Sequence, residues 1–149
     1  MKLLRYGPKG QEKPGCLDEQ GRVRDLSGHI DDIAGAALLP DAISGLKALD
    51  ITSLPIVGGT PQKDLRLGPC VGQTGKFVCI GLNYADHAAE SGLDVPSEPV
   101  IFNKWTSAIV GPDDDVVIPR GSIKTDWEGE LGIIIGKGGA YIDEVDAMD

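Results

Sequence analysis

The sequence predicts an α+β fold, mostly β, assembled from short strands with few helices. Three observations carry this. Of 149 residues, 21 are Gly and 10 are Pro, a density that favours frequent turns over long elements. The apolar runs are short, and the run from Leu131 to Ile135 is broken only by Gly, which reads as a buried strand. Helical spacing is confined to short stretches, residues 41–49, residues 83–92 and the start of another at 143–149.

Taken in order, Leu3–Tyr6 reads as a first strand, which Gly7-Pro8-Lys9-Gly10 breaks. Gly15–Leu17 and Arg22–Leu26 flank the turn Asp18-Glu19-Gln20-Gly21, predicting a hairpin in a small sheet with one wet face. Leu39, Ile43, Leu46 and Leu49 fall near helical spacing, and Pro40 suits the first turn of a helix over 41–49. Residues 54–75 are rich in Pro and Gly and read as a linker. They divide a small N-terminal domain, residues 1–70, from a second domain, residues 71–149. The second part opens on Lys76–Leu82, a buried strand. Asn83 is placed to cap a short helix that Gly92 stops. Pro99–Lys104 is a further strand, Asp113-Asp114-Asp115 a solvated turn, and residues 143–149 the start of a helix.

Composition narrows the function. A formal charge of -9 does not attract phosphate backbones, and 5% aromatics make no stacking platform, so nucleic acid is disfavoured as a partner. Cys16, Cys70 and Cys79 are odd in number and lack metal spacing, which suits buried thiols in a reducing compartment. The N-terminus lacks the apolar core of a signal peptide, and no run reaches the ~18 apolar residues of a membrane span. The expectation is a soluble cytoplasmic protein with no membrane partner.

Two groups of residues carry chemistry. On a strand, side chains alternate faces, so Asp126, Glu128 and Glu130 share one face, opposite Trp127, Leu131, Ile133 and Ile135. Glu128 and Glu130 would then be about 6–7 Å apart along the strand and able to bend toward one hard divalent cation. On spacing alone, a wet edge strand is the commoner source of such a pair. His87 and Glu90, three apart on the short helix, face the same way; a carboxylate beside an imidazole suits a general base acting on water. An incidental pair on a solvated helix is the plainer alternative. Lys104 ends an apolar run, either as a strand end reaching water or as a positive charge at the mouth of a site.

Four ordered pieces together resemble the fumarylacetoacetate hydrolase family: Phe77–Glu90, Glu98–Lys104, Val116–Pro119 and Asp126–Gly136. Residues 1–70 resemble the smaller N-terminal domain of its two-domain members. The resemblance implies a mixed β-roll catalytic domain, a homodimer, and a Mg²⁺ or Mn²⁺ site, with Ca²⁺ as an alternative. It places Glu128 and Glu130 among the metal ligands and puts a third, an Asp, beyond residue 149. The chain therefore reads as the N-terminal half of a longer protein. The resemblance assigns Asn83 and Tyr84 to substrate binding, His87 with Glu90 to water activation, and Lys104 to the oxyanion. The implied substrate is a small β-diketo or acylpyruvate-type keto acid, as in hydrolases of 2,4-diketo-3-deoxy sugar acids. The implied reaction is hydrolysis of a C–C bond through a metal-stabilised enolate. Decarboxylase, isomerase or ureidoglycolate lyase activity, or an inactive truncated fragment, are the alternatives.

Overall fold

A computed structural model describes residues 1–58 and 65–148. Chain contacts separate two units, Met1–Gly72 with Gly111–Asp149, and Gln73–Val110.

The first unit is organised on three antiparallel strands in the order β1-β2-β3: β1 (Lys2–Tyr6), β2 (Lys13–Leu17) and β3 (Val23–Asp25). Their register pairs Lys2 with Leu17, Tyr6 with Lys13, and Leu17 with Val23. The expected hairpin turn forms between β2 and β3. Its first residue, Asp18, folds back to accept hydrogen bonds from the amides of Gln20 (3.0 Å) and Arg22 (2.9 Å).

The expected linker behaves differently. Residues 55–57 lie along β3, with the Asp25 amide donating to the Pro55 carbonyl and the Val57 amide to that of Val23, both at 2.9 Å. Residues 66–68 lie along β1 by the bonds from Gly7 N to Arg66 O and from Gly68 N to Arg5 O. Both ends of the stretch thus satisfy edge backbone groups that would otherwise face water. Residues 59–64 of that stretch fall outside the described residues.

The sheet does not have the predicted wet face. Cys16 and Leu26 are buried with Leu46 and Leu54, and Leu3, Ile30 and Ile43 pack against them. Leu4, Tyr6 and Val23 form a second cluster with Leu17, Val57 and Leu67. Leu3 and Leu4 are consecutive, so they lie on opposite faces, and each face has its own apolar cover. One cover includes α1 (Pro40–Lys47), which starts on Pro at its first helical position as expected and buries Leu46. Arg24 enters the same side as an almost fully buried cation. Its Nε donates to Asp18 (2.9 Å) and its Nη1 to the carbonyls of Leu54 (2.8 Å) and Thr52 (3.1 Å). Of the three cysteines, Cys16 is buried, but Cys70 is exposed and Cys79 half-buried, which corrects the expectation of buried thiols.

A line of charges ties residues 65–72 and 111–114 to β1. Arg5 forks onto Asp32 (2.7 and 3.0 Å) and faces Glu12 (3.8 Å). Arg66 donates to Glu12 (2.9 Å) and to the Gly7 carbonyl (2.8 Å), then forks onto Asp114 (2.8 and 2.7 Å). Asp114 also accepts the Gly111 amide at 2.9 Å. The middle acid of the expected solvated turn is thus an ion-pair partner. Gly72 passes close over the Arg5–Asp32 pair, where a Cβ would run into Asp32.

The second unit is smaller. It holds β4 (Val78–Gly81) and β5 (Val100–Asn103), paired antiparallel with Val78 opposite Asn103 and Gly81 opposite Val100, and the single-turn helix α2 (Ala85–Glu90). The buried strand predicted at 76–82 forms, but its Val78 is exposed, as are Ile101 and Phe102 on β5. Two strands alone cannot cover both of their faces. The antiparallel sheets and few helices agree with the predicted α+β, mostly β class. Among the described residues, no helix is long and apolar enough to cross a membrane.

Candidate active site

In the second unit, β4 delivers the chain to α2 through Leu82, which takes a left-handed backbone (φ 51°) that side chains other than Gly seldom adopt. Tyr84, rather than the predicted Asn83, is the N-cap residue. Its backbone is extended and its carbonyl accepts the Ala88 amide (3.1 Å), so the helix begins one residue later than the Asn signal implies. The helix stops where predicted. Gly92 takes φ 69°, its amide donates to Ala89 O (3.1 Å), and the Leu93 amide donates to Ala88 O (2.9 Å). Those paired bonds form the left-handed termination that Gly favours. Ala88, fully buried, anchors the inner face of the helix.

His87 and Glu90 lie on α2, and both side chains are exposed. No hydrogen bond or ion pair joins them, so the direct carboxylate–imidazole contact suggested by their spacing is not made. The reason is solvent: a helical turn brings the two within reach, but water competes for both polar ends. Asn83 and Tyr84 are also exposed, just before the helix. Lys104 directly follows β5, where its amide donates to the Phe77 carbonyl at 3.0 Å. The antiparallel register therefore sets Lys104 beside the start of β4, whereas α2 follows the end of β4.

Glu128 and Glu130 belong to the first unit. The predicted strand does not form there: residues 123–136 hold no regular element, and both carboxylates are exposed. Ile133 and Ile135, expected to be buried, are 74% and 75% exposed. A strand exists by virtue of a neighbour's backbone, and among the described residues the paired strands are β1-β2-β3 and β4-β5, none of which includes this segment. The shared face of Asp126, Glu128 and Glu130 loses its geometric basis here. The Asp126 carboxylate instead accepts the Trp127 amide at 2.8 Å. Among the described residues, no group of three or more His, Cys, Asp or Glu is placed to hold a metal ion. The donors themselves are hard carboxylate oxygens, and Mg²⁺ takes one or two carboxylates with water completing its shell. In donor type and number, Glu128 and Glu130 fit such an ion.

A comparison with protein families matches residues 76–149 to the fumarylacetoacetate (FAA) hydrolase C-terminal domain. Residues 76–149 belong to the fumarylacetoacetate hydrolase family. A Burkholderia ambifaria protein named "putative hydrolase" is 59% identical over 149 residues, which is all of this chain and 51% of that protein. A Burkholderia multivorans protein of similar name matches at the same 59% with the same coverage. The chain spans about half the length of the curated relatives it matches. Among solved structures, the crystal structure of a "putative HpcE protein" from Mycobacterium smegmatis superposes with a TM-score of 0.56 at 26% identity. It covers 82% of this chain and 42% of that one.

The clearest sequence signals missed are Asp114 and Leu82. Asp114 sits in an acidic triplet that looks solvated, and its partner Arg66 is distant in sequence. Leu82 carries no local mark of a left-handed backbone.

Proposed function

We propose that this chain contributes to a metal-dependent hydrolase that cleaves a C–C bond in a small β-diketo or acylpyruvate-type acid. The supporting observation is the family match over residues 76–149, which contains every candidate residue. The names of the two Burkholderia relatives favour hydrolysis over the decarboxylase, isomerase and lyase alternatives.

In this reading, Glu128 and Glu130 would supply two carboxylate ligands to Mg²⁺ or Mn²⁺, which when bound would supply Lewis acidity toward the substrate oxygens that gain negative charge. His87 takes a proton from water at an imidazole nitrogen, and Glu90 steadies its orientation once substrate excludes solvent. The resulting hydroxide adds to the carbonyl being cleaved, and Lys104 stabilises the oxyanion. The C–C bond then breaks, its electron pair passing to the departing keto acid as an enolate. Asn83 and Tyr84, on the approach to α2, contact the substrate. The working assembly is a homodimer of β-roll domains.

The test is a chimera in which this chain replaces the matching half of the B. ambifaria relative. Turnover of an acylpyruvate should depend on Mg²⁺ or Mn²⁺ and stop with chelator. Glu128→Gln or Glu130→Gln should each lower it by about a hundredfold or more. Full activity in either variant would remove the ligand assignment.

A further inference from the structure

The chain enters the second unit at Gln73 and leaves it at Val110, so Gly72 and Gly111 are the two crossing points, both in the first unit. Each passes against charged side chains there. A Cβ on Gly72 would meet Asp32 and Arg5, and one on Gly111 would meet the Leu67 carbonyl and Asp114. The Gly72 amide donates to the carbonyl of Ile33, next to Asp32, and the Gly111 amide to Asp114 itself, both at 2.9 Å. The crossings are thus the two ends of one charge chain. Asp32 meets Arg5 at 2.7 Å, Arg5 meets Glu12 at 3.8 Å, Glu12 meets Arg66 at 2.9 Å, and Arg66 meets Asp114 at 2.7 Å.

The middle member decides how the chain behaves. The Glu12 side chain is only 5% exposed, with Oε2 toward Arg5 and Oε1 toward Arg66. The Gly10 amide also donates to Oε2, at 3.0 Å. Loss of either cation leaves a buried carboxylate half-neutralised, so the two halves of the chain are not independent. We propose that Asp32, Arg5, Glu12, Arg66 and Asp114 act as one clamp that fixes both crossings together, with Glu12 and Arg66 as positioning residues. The positioning role rests on the function proposed above. That reaction draws His87, Glu90 and Lys104 from between the crossings, and Glu128 and Glu130 from beyond the second. Slack at a crossing therefore costs alignment of the two sets rather than binding by either.

The experiment uses the chimera with the B. ambifaria relative. Arg66→Met removes the second guanidinium, and Asp114→Asn cuts the chain at the end remote from Gly72. In each, the Gly72 amide should exchange with deuterium at least about fivefold faster, although its own bond to Ile33 is left in place. Asp32→Asn should do the same to the Gly111 amide from the other end. The Leu26 amide, bonded to the Pro14 carbonyl within the sheet, should keep its rate. In turnover, Arg66→Met should lower kcat about tenfold while KM and Mg²⁺ affinity stay within about twofold. Gly72 exchange at the unaltered rate in either of the first two variants would overturn the proposal, leaving separate ion pairs. Faster exchange that includes Leu26 would overturn it too, making the charges a support of the whole fold. Loosened crossings with kcat unchanged would remove the positioning role. If the unaltered chimera turns over no acylpyruvate, the assigned reaction is what fails, and exchange at Gly72 and Gly111 alone decides the clamp.

Discussion

Asp18 shows how one side chain can decide a local structure. It accepts two turn amides and two guanidiniums, Arg22 at 2.8 Å and Arg24 at 2.9 Å. Burial works to raise its pKa, but the Arg22 amide and the Arg24 and Arg22 side chains outweigh it and hold the carboxyl down to about 2, against an ordinary 3.8. A depressed carboxyl stabilises the fold above its unfolded pKa and loses that contribution as pH falls through its folded one. Urea unfolding midpoints should therefore fall between about pH 4 and pH 2, and this acid limb should shrink in Asp18→Asn. Tyr6 gives the alkaline counterpart. Burial, then the Asp25 charge beside it, push its pKa up from 10.0 to about 12. Its contribution is complete below pH 10 and lost as pH rises through about 12, so Tyr6→Phe should flatten the alkaline limb. At His87 the expected outcome is kinetic. His87→Ala in the chimera should slow turnover by about a hundredfold with metal affinity intact. Collapse of metal affinity would instead make His87 a ligand.

Among the elements, α2 depends on its ends. Its six residues are too few for a stable isolated helix, and Tyr84 provides no side-chain cap. Termination at Gly92 and burial of Ala88 carry it. Gly92→Ala, at φ 69°, should cost about 1 kcal/mol, read as faster amide exchange across Ala88–Glu90. Unchanged exchange would mean that α2 does not need its glycine stop. The segments beside β1 depend on charge. Asp114 has its pKa lowered by Arg66 first and by the Gly111 amide next, as expected of a carboxylate gripped at both oxygens. In Asp114→Asn the Gly111 amide should exchange faster, since both the fork and the turn bond weaken.

For the whole chain, stability is concentrated in the doubly covered sheet of the first unit. Leu26 is fully buried there, and Leu26→Ala should cost about 3 kcal/mol, measured by urea unfolding of the β1–β3 amides. β1, the hairpin turn at Asp18–Gly21, the Pro40 start of α1, strands β4 and β5 and the Gly92 stop were all legible in the sequence. The turn, the Pro40 start and the Gly92 stop rest on the backbone limits of Gly and Pro or on contacts within a few residues, and the strands show as short apolar runs. Tyr84 in place of Asn83 is a one-residue shift of the kind that local signals leave open.

The sequence by itself determined the class of the chain, its local turns and stops, and its family, because ordered motifs and short-range sterics are written in consecutive residues. Only the tertiary structure decided that residues 55–57 and 66–68 flank the sheet, that Arg66 reaches Asp114, and that Glu128 and Glu130 lie on no strand. Those outcomes depend on backbone partners far away in the chain. Ile133–Ile135 has the composition of a buried strand, but a ladder needs a neighbour to hydrogen-bond and cover it.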